Sequence, residues 1–177
     1  IENTAVGNEA MRFNTTGSDN TAVGNFALID SNANQNVAVG AFASESNFTG
    51  DANVAVGYQA LLNNITGVGN VAVGQQALAA NLVDFNTAVG YVALTSNTLG
   101  VDNTAVGSFA LTTNGIGEGN TAVGANALSL NVASFNTAVG SNALQNNDDG
   151  ATNTAVGAEA LQQNISGAAN TAVGYQA

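Results

Sequence analysis

One pentapeptide recurs along the whole chain. Asn-(Thr/Val)-Ala-Val-Gly opens at Asn3, Asn20, Asn36, Asn53, Asn70, Asn86, Asn103, Asn120, Asn136, Asn153 and Asn170, in steps of 17 or 16 residues. A fixed short period is the signature of a repeat architecture and overrides any reading of separate segments. Ten units and a truncated eleventh cover residues 1–177 as one array, with Ile1 and Glu2 as the tail of a preceding unit and no visible linker.

Counting each Asn as position one, positions three, four, five and eight are always Ala, Val, Gly and Ala. Position nine is Leu except at Met11 and Ser44, and position twelve is Asn except at Ser31. The longer units carry Gly at position fifteen (Gly17, Gly50, Gly67, Gly100, Gly117, Gly150, Gly167), and the shorter ones lack it. Thr/Val-Ala-Val favours an extended strand. Alternation then puts positions two and four on one face and three on the other. Hydrophobicity points the valines (Val6, Val23, Val39 and their equivalents) inward with the Thr or Val two before them, and Ala outward. Constant Gly at position five implies a special φ or a close backbone approach. Ala-Leu is expected to begin a second short strand or corner, with Leu28, Leu61, Leu78, Leu94, Leu111, Leu128, Leu144 and Leu161 as the opposite inner wall. Asn-x-x-Gly closes the turn.

A unit this short has no room for a helix pair and shows no helical periodicity. It fits one coil of an all-β parallel β-solenoid, a β-roll of about ten 16–17-residue coils. At the strand spacing of about 4.8 Å, ten coils make a rod of about 48 Å. Each coil buries its inner face only against its neighbours. Like residues then stack as Asn, Val and Leu ladders, and the Asn excess finds its role in stacked amides and turns. Unit length itself repeats every 50 residues, as 17-16-17. Three-coil duplication should make units 50 residues apart alike at variable positions, yet position seven reads Glu9, Gln59, Phe109 and Glu159; a wide 50-residue turn with three similar sides competes with it, but Val, Ala and one Leu per unit would leave so broad an interior underfilled.

Composition removes most chemistries. The chain has one Lys+Arg (Arg12), twelve Asp+Glu, no His and no Cys, for a formal charge of -11. No Ser-His-Asp or Cys-His site and none of the usual zinc sites can be built, and the expectation is a protein that is not an enzyme, without catalytic, cofactor or metal residues. One cation cannot neutralise a phosphate backbone or supply a polybasic membrane patch. The apolar runs are too short for a membrane span. The acids Glu2, Glu9, Asp19, Asp30, Glu45, Asp51, Asp84, Asp102, Glu118, Asp148, Asp149 and Glu159 fall at different places in the units and read as solubilising charge. Asp148 and Asp149 are the nearest approach to a weak calcium site.

Three further features could bind something. Asn14, Asn47, Asn64 and Asn164 begin Asn-x-Ser/Thr sequons, all at position twelve, where Asn also occurs without one. A turn role therefore competes with glycosylation. A Thr ladder at position two could order water as an ice-binding face, but exchange for Val at Val37, Val54 and Val71 suggests a core position. Tyr58, Tyr91 and Tyr175 at position six, with Phe26, Phe42 and Phe109 at position seven, could stack sugars or pack an edge. An outward Ala stripe would suit close side-by-side packing of rods.

Asn-Thr-Ala-Val-Gly-x-x-Ala-Leu, as in Asn153 to Leu161, followed by Asn-x-x-Gly, resembles repeats of phage tail-fibre and bacterial surface proteins. It is also similar to the head repeat of YadA-like trimeric autotransporter adhesins, Ser-Val-Ala-Ile-Gly-x-x-Ser. Here the units are longer, Ala stands for that Ser, and Leu is added at position nine. The resemblance covers the whole chain. It implies a left-handed roll, trimeric packing and a fibre or adhesin shaft on a cell or virion surface, with a cell-surface or glycan receptor as possible partner and no catalytic residues. Neither end departs from the repeat, so the expectation is an excerpt of a longer array or rods stacking end to end as a filament. The competing class is a binding module for ice or glycan.

Overall fold

The computed structural model describes residues 2–177, which form a β-solenoid of about ten turns with no helix among the described residues. Each coil contributes one three-residue strand, from β1 (Thr4–Val6) and β2 (Thr21–Val23) to β11 (Thr171–Val173). The eleven strands make one parallel sheet in sequence order. Register is residue on equivalent residue, as in Ala5↔Ala22 across a 17-residue step and Ala22↔Ala38 across a 16-residue step. Strands one unit apart are therefore direct neighbours, which excludes the wide 50-residue turn.

The strand faces are the reverse of the sequence expectation. Position-three alanines from Ala22 to Ala155 have no exposed surface, whereas Val39, Val89, Val106, Val123, Val139 and Val156 keep 36–37% of theirs. The reason is volume. The sheet forms one wall of a thin coil, and Leu from position nine and Ala from position eight fill the space behind it. Only a methyl fits between, and close packing excludes a larger side chain there. The inner ladders are thus Ala, Leu and Asn; the Val ladder is outside.

No second strand forms at Ala-Leu. That segment is a turn in which positions seven and nine are left-handed, for example Gln59 at φ 55° and Leu61 at φ 53°. Left-handed φ costs an L-residue about 1–2 kcal/mol, and a branched Cβ makes it worse. Position nine accordingly holds Leu, Met or Ser and never Val, Ile or Thr. Complete burial of the Leu side chain, about 1.5–3 kcal/mol, offsets the strain. The turn still bonds coil to coil: Leu61 N–H donates to the Ala77 carbonyl at 2.9 Å, and Asn63 N–H to the Ala79 carbonyl at 3.1 Å. Gly at position five is required twice over: Gly90 sits at φ 147°, and a Cβ there would strike the Gly107 carbonyl.

Two buried Asn ladders brace the remaining corner. From Asn20 to Asn170 each position-one backbone N–H is capped by the Asn side chain of the previous coil, as in Asn53 N–H to Asn36 Oδ1 at 2.8 Å and Asn103 N–H to Asn86 Oδ1 at 3.0 Å. The position-one and position-twelve amides converge on the carbonyl at position fifteen: Asn86 and Asn97 both donate to Gly100 O at 2.8 Å. In the short coils the residue is lost between position twelve and that carbonyl. Asn81 then reaches Val83 O at 2.6 Å and Asn131 reaches Ala133 O at 2.7 Å, two residues on instead of three. The length variation is absorbed in this loop and leaves the strand register unchanged.

Candidate functional surface

The inverted strand turns position two into surface. Its residues are Thr except at Val37, Val54 and Val71, and beside them runs the position-four Val of every coil. The outer sheet face is therefore a two-column array of β-branched side chains fixed in register by the parallel ladder. None of the acids lies at position two or four, and neither does Arg12. In three successive coils both columns are Val, giving a block of Val37, Val39, Val54, Val56, Val71 and Val73. The Ala stripe expected outside is instead sealed within, at positions three and eight.

Six of the ten aromatics line the corner that follows this sheet, while Phe13, Phe48, Phe85 and Phe135 lie later in their coils. Phe26 and Phe42 stack at 5.4 Å and 13°, Phe42 meets Tyr58 edge-on at 6.0 Å, and Tyr91 meets Phe109 edge-on at 5.2 Å. Phe26 and Phe42 each spend a ring face on the other, which reduces the surface a sugar ring could cover. Tyr58, Tyr91, Tyr175 and Phe109 remain exposed. A second set of exposed apolar side chains, including Leu99 and Ile116, lies on the loop after position twelve.

The sequon asparagines are ladder residues. Asn47 and Asn64 have no exposed surface, and their Nδ2 atoms donate to Gly50 O and Gly67 O at 2.8 Å. Asn14 and Asn164 make the same bond to Gly17 O at 3.3 Å and Gly167 O at 2.8 Å. The nitrogen a glycan would modify is committed to the turn in all four. Asn-x-x-Gly is thus a structural signature that coincides with a sequon whenever Ser or Thr follows.

Several acids have structural partners. Asp51 Oδ1 accepts from Asn34 N–H at 2.7 Å, and Asp84 Oδ1 from Val68 N–H at 2.8 Å. Both cap a loop N–H of the preceding coil, a role that their shared next-to-last place in the unit could have signalled. Glu9 pairs with Arg12 at 2.9 Å, whose guanidinium also lies 4.8 Å from the Phe13 ring centroid. Asp148 and Asp149 are exposed, and among the described residues no group of three acids converges as a metal site. No helix among the described residues is long and apolar enough to cross a membrane.

No protein-family model matches the chain, and neither a characterised protein nor a solved structure matches it.

Proposed function

We propose that this chain is a rigid rod segment of an extracellular fibre or adhesin shaft on a cell or virion surface, and not an enzyme. It would act as a spacer, with copies associating side by side as a trimer or end to end as a filament. One observation carries the reading: a single in-register sheet, braced by buried Asn and Leu ladders, runs through every coil. Such a stack resists bending because every coil is bonded to the next around its whole perimeter. The invariant Ala at positions three and eight and Gly at position five serve that stacking, while the invariant Val at position four lines the outer sheet face.

Excising the three-coil block 53–102 tests the spacer role, because it joins Ala52 to Asn103 without breaking the pattern. Electron microscopy of the fibre should show a rod shortened by about 14 Å with whatever it presents at its tip still functional. Loss of the tip activity at normal folding, or no change of length, would contradict the proposal.

A second reading, an ice-binding face, is supported by the position-two Thr ladder lying on the outside. Ice crystals grown with the protein would be faceted under this reading and unshaped under the first. A glycan-binding edge rests on the exposed Tyr58, Tyr91 and Tyr175 alone, and glycan-array binding abolished by Tyr58→Ala and Tyr91→Ala would be its sign.

A further inference from the structure

Asn114–Gly115 is the one Asn-Gly step in the chain. Such a step is the most reactive setting for a side-chain amide. The backbone nitrogen of the next residue can attack Asn Cγ when no side chain stands in the way. Other position-twelve asparagines are shielded, as Ile65 follows Asn64 and Val132 follows Asn131. Nothing in the fold asks for Gly at 115: a Cβ there would meet no atom within 4 Å.

The closed coil holds this step unreactive. Asn114 has no exposed surface, and its Nδ2 donates to Asn97 Oδ1 at 3.0 Å and to Gly117 O at 2.8 Å. The Gly115 carbonyl accepts from Thr98 N–H at 2.9 Å and Leu99 N–H at 3.0 Å. Attack requires Asn114 Cγ to swing toward the Gly115 nitrogen, so the amide must first leave its ladder. Local opening of the coil supplies that freedom, since a coil is held by its neighbours alone.

We propose that Asn114 is a spontaneous modification site that records the opening of its coil and then latches it open. In the open coil Gly115 N bonds to Asn114 Cγ and gives up its proton, and Nδ2 leaves as ammonia. Water then opens the succinimide to an aspartate or, at its other carbonyl, to an isoaspartate. Neither product refits. An aspartate would set a carboxylate oxygen against Asn97 Oδ1 and Gly117 O, both acceptors, and would keep Asn131 Nδ2, now 3.4 Å from Asn114 Oδ1, as a ladder donor. A buried carboxylate so poorly partnered is strongly disfavoured. An isoaspartate lengthens the backbone of the turn and shifts the ladder. The inference goes beyond the rod reading: the same stacking that stiffens the rod contains one coil that, once opened, does not close.

Incubation of the native protein at mildly alkaline pH, with and without unfolding urea, tests this by mass spectrometry of its peptides. In urea the amide-to-acid mass gain should appear at Asn114 before any other ladder asparagine. In the folded rod it should be at least about tenfold slower, because only the opened population reacts. Gly115→Ile should suppress the conversion in urea and leave the circular dichroism of the folded rod unchanged. Asn114→Asp should speed hydrogen exchange in the coils on either side. The converted fraction of aged native rod should show the same acceleration, so the latch is read even if that variant does not fold. Equal rates with and without urea would overturn the guarding. Conversion at Asn47 or Asn64 as fast as at Asn114 in urea would overturn the site, and unchanged exchange in the converted rod would overturn the latch.

Discussion

Two matched pairs of coils show what the ladders contribute. Residues 20–52 and residues 70–102 each comprise a short coil followed by a long one. In the second pair the ladders are intact: Asn86 Nδ2 donates to Asn81 Oδ1 at 3.1 Å and to Gly100 O at 2.8 Å, and Leu94 is fully buried. In the first, Ser31 stands where Asn81 does, and Ser44 where Leu94 does. Asn36 Nδ2, the counterpart of Asn86 Nδ2, and Ser44 Oγ are the buried side-chain polar atoms without a partner among the described residues. The coils at 120–152 repeat the intact arrangement, with Asn136 bonded to Asn131 at 3.1 Å. Ser31 removes the acceptor that Asn81 Oδ1 provides to Asn86, and Gly50 O, the counterpart of Gly100 O, accepts from Asn47 and Asn53 instead of Asn36.

Exchanging residues between the two regions should break or restore that difference. Leu94→Ser should be the largest effect, a loss of about 4 kcal/mol, because it opens a cavity and buries a hydroxyl. Urea unfolding checks it, and a loss below 1 kcal/mol would mean that position nine is not a packed core site. The reverse change, Ser44→Leu, should raise stability by about 2–3 kcal/mol by filling the interior and removing the stranded hydroxyl. A melting temperature that falls instead would show that the coil has closed around Ser44. Ser31→Asn should gain about 1–2 kcal/mol by giving Asn36 an acceptor, visible as slower hydrogen exchange at the Asn36 side-chain amide. Smallest is Val92→Asn, at a left-handed position in the intact region with φ 57°. Asn tolerates that conformation better than a β-branched residue, so a gain of about 0.5–1 kcal/mol is expected.

The period, the coil-by-coil stacking, the inward Leu and the Asn ladders were legible in the sequence. Each follows from a residue type fixed at one position with one physical use. The face of the strand was not, because Thr-Ala-Val is apolar on both sides and alternation does not say which side is in. The deciding signal was the constant Ala: an invariant small residue marks a wall too close for Val, and Ala105 and Leu111 are both fully buried in the one core cluster. The left-handed turn had its own signal in the missing β-branched residues at position nine, but helix and strand propensities do not report it. The surface was misassigned for the same reason as the core. Once Val106 is outside, Thr104 is outside with it, and the outer stripe is Thr/Val where the sequence reading had Ala.

The most direct test is methyl–methyl contact across the coil interior, measured by NMR with labelled Ala, Val and Leu. The Leu111 methyls should show strong cross-peaks to Ala105 and Ala110 and none to Val106. Strong cross-peaks from Leu111 to Val106, with Ala105 silent, would contradict this architecture and turn the strand back over.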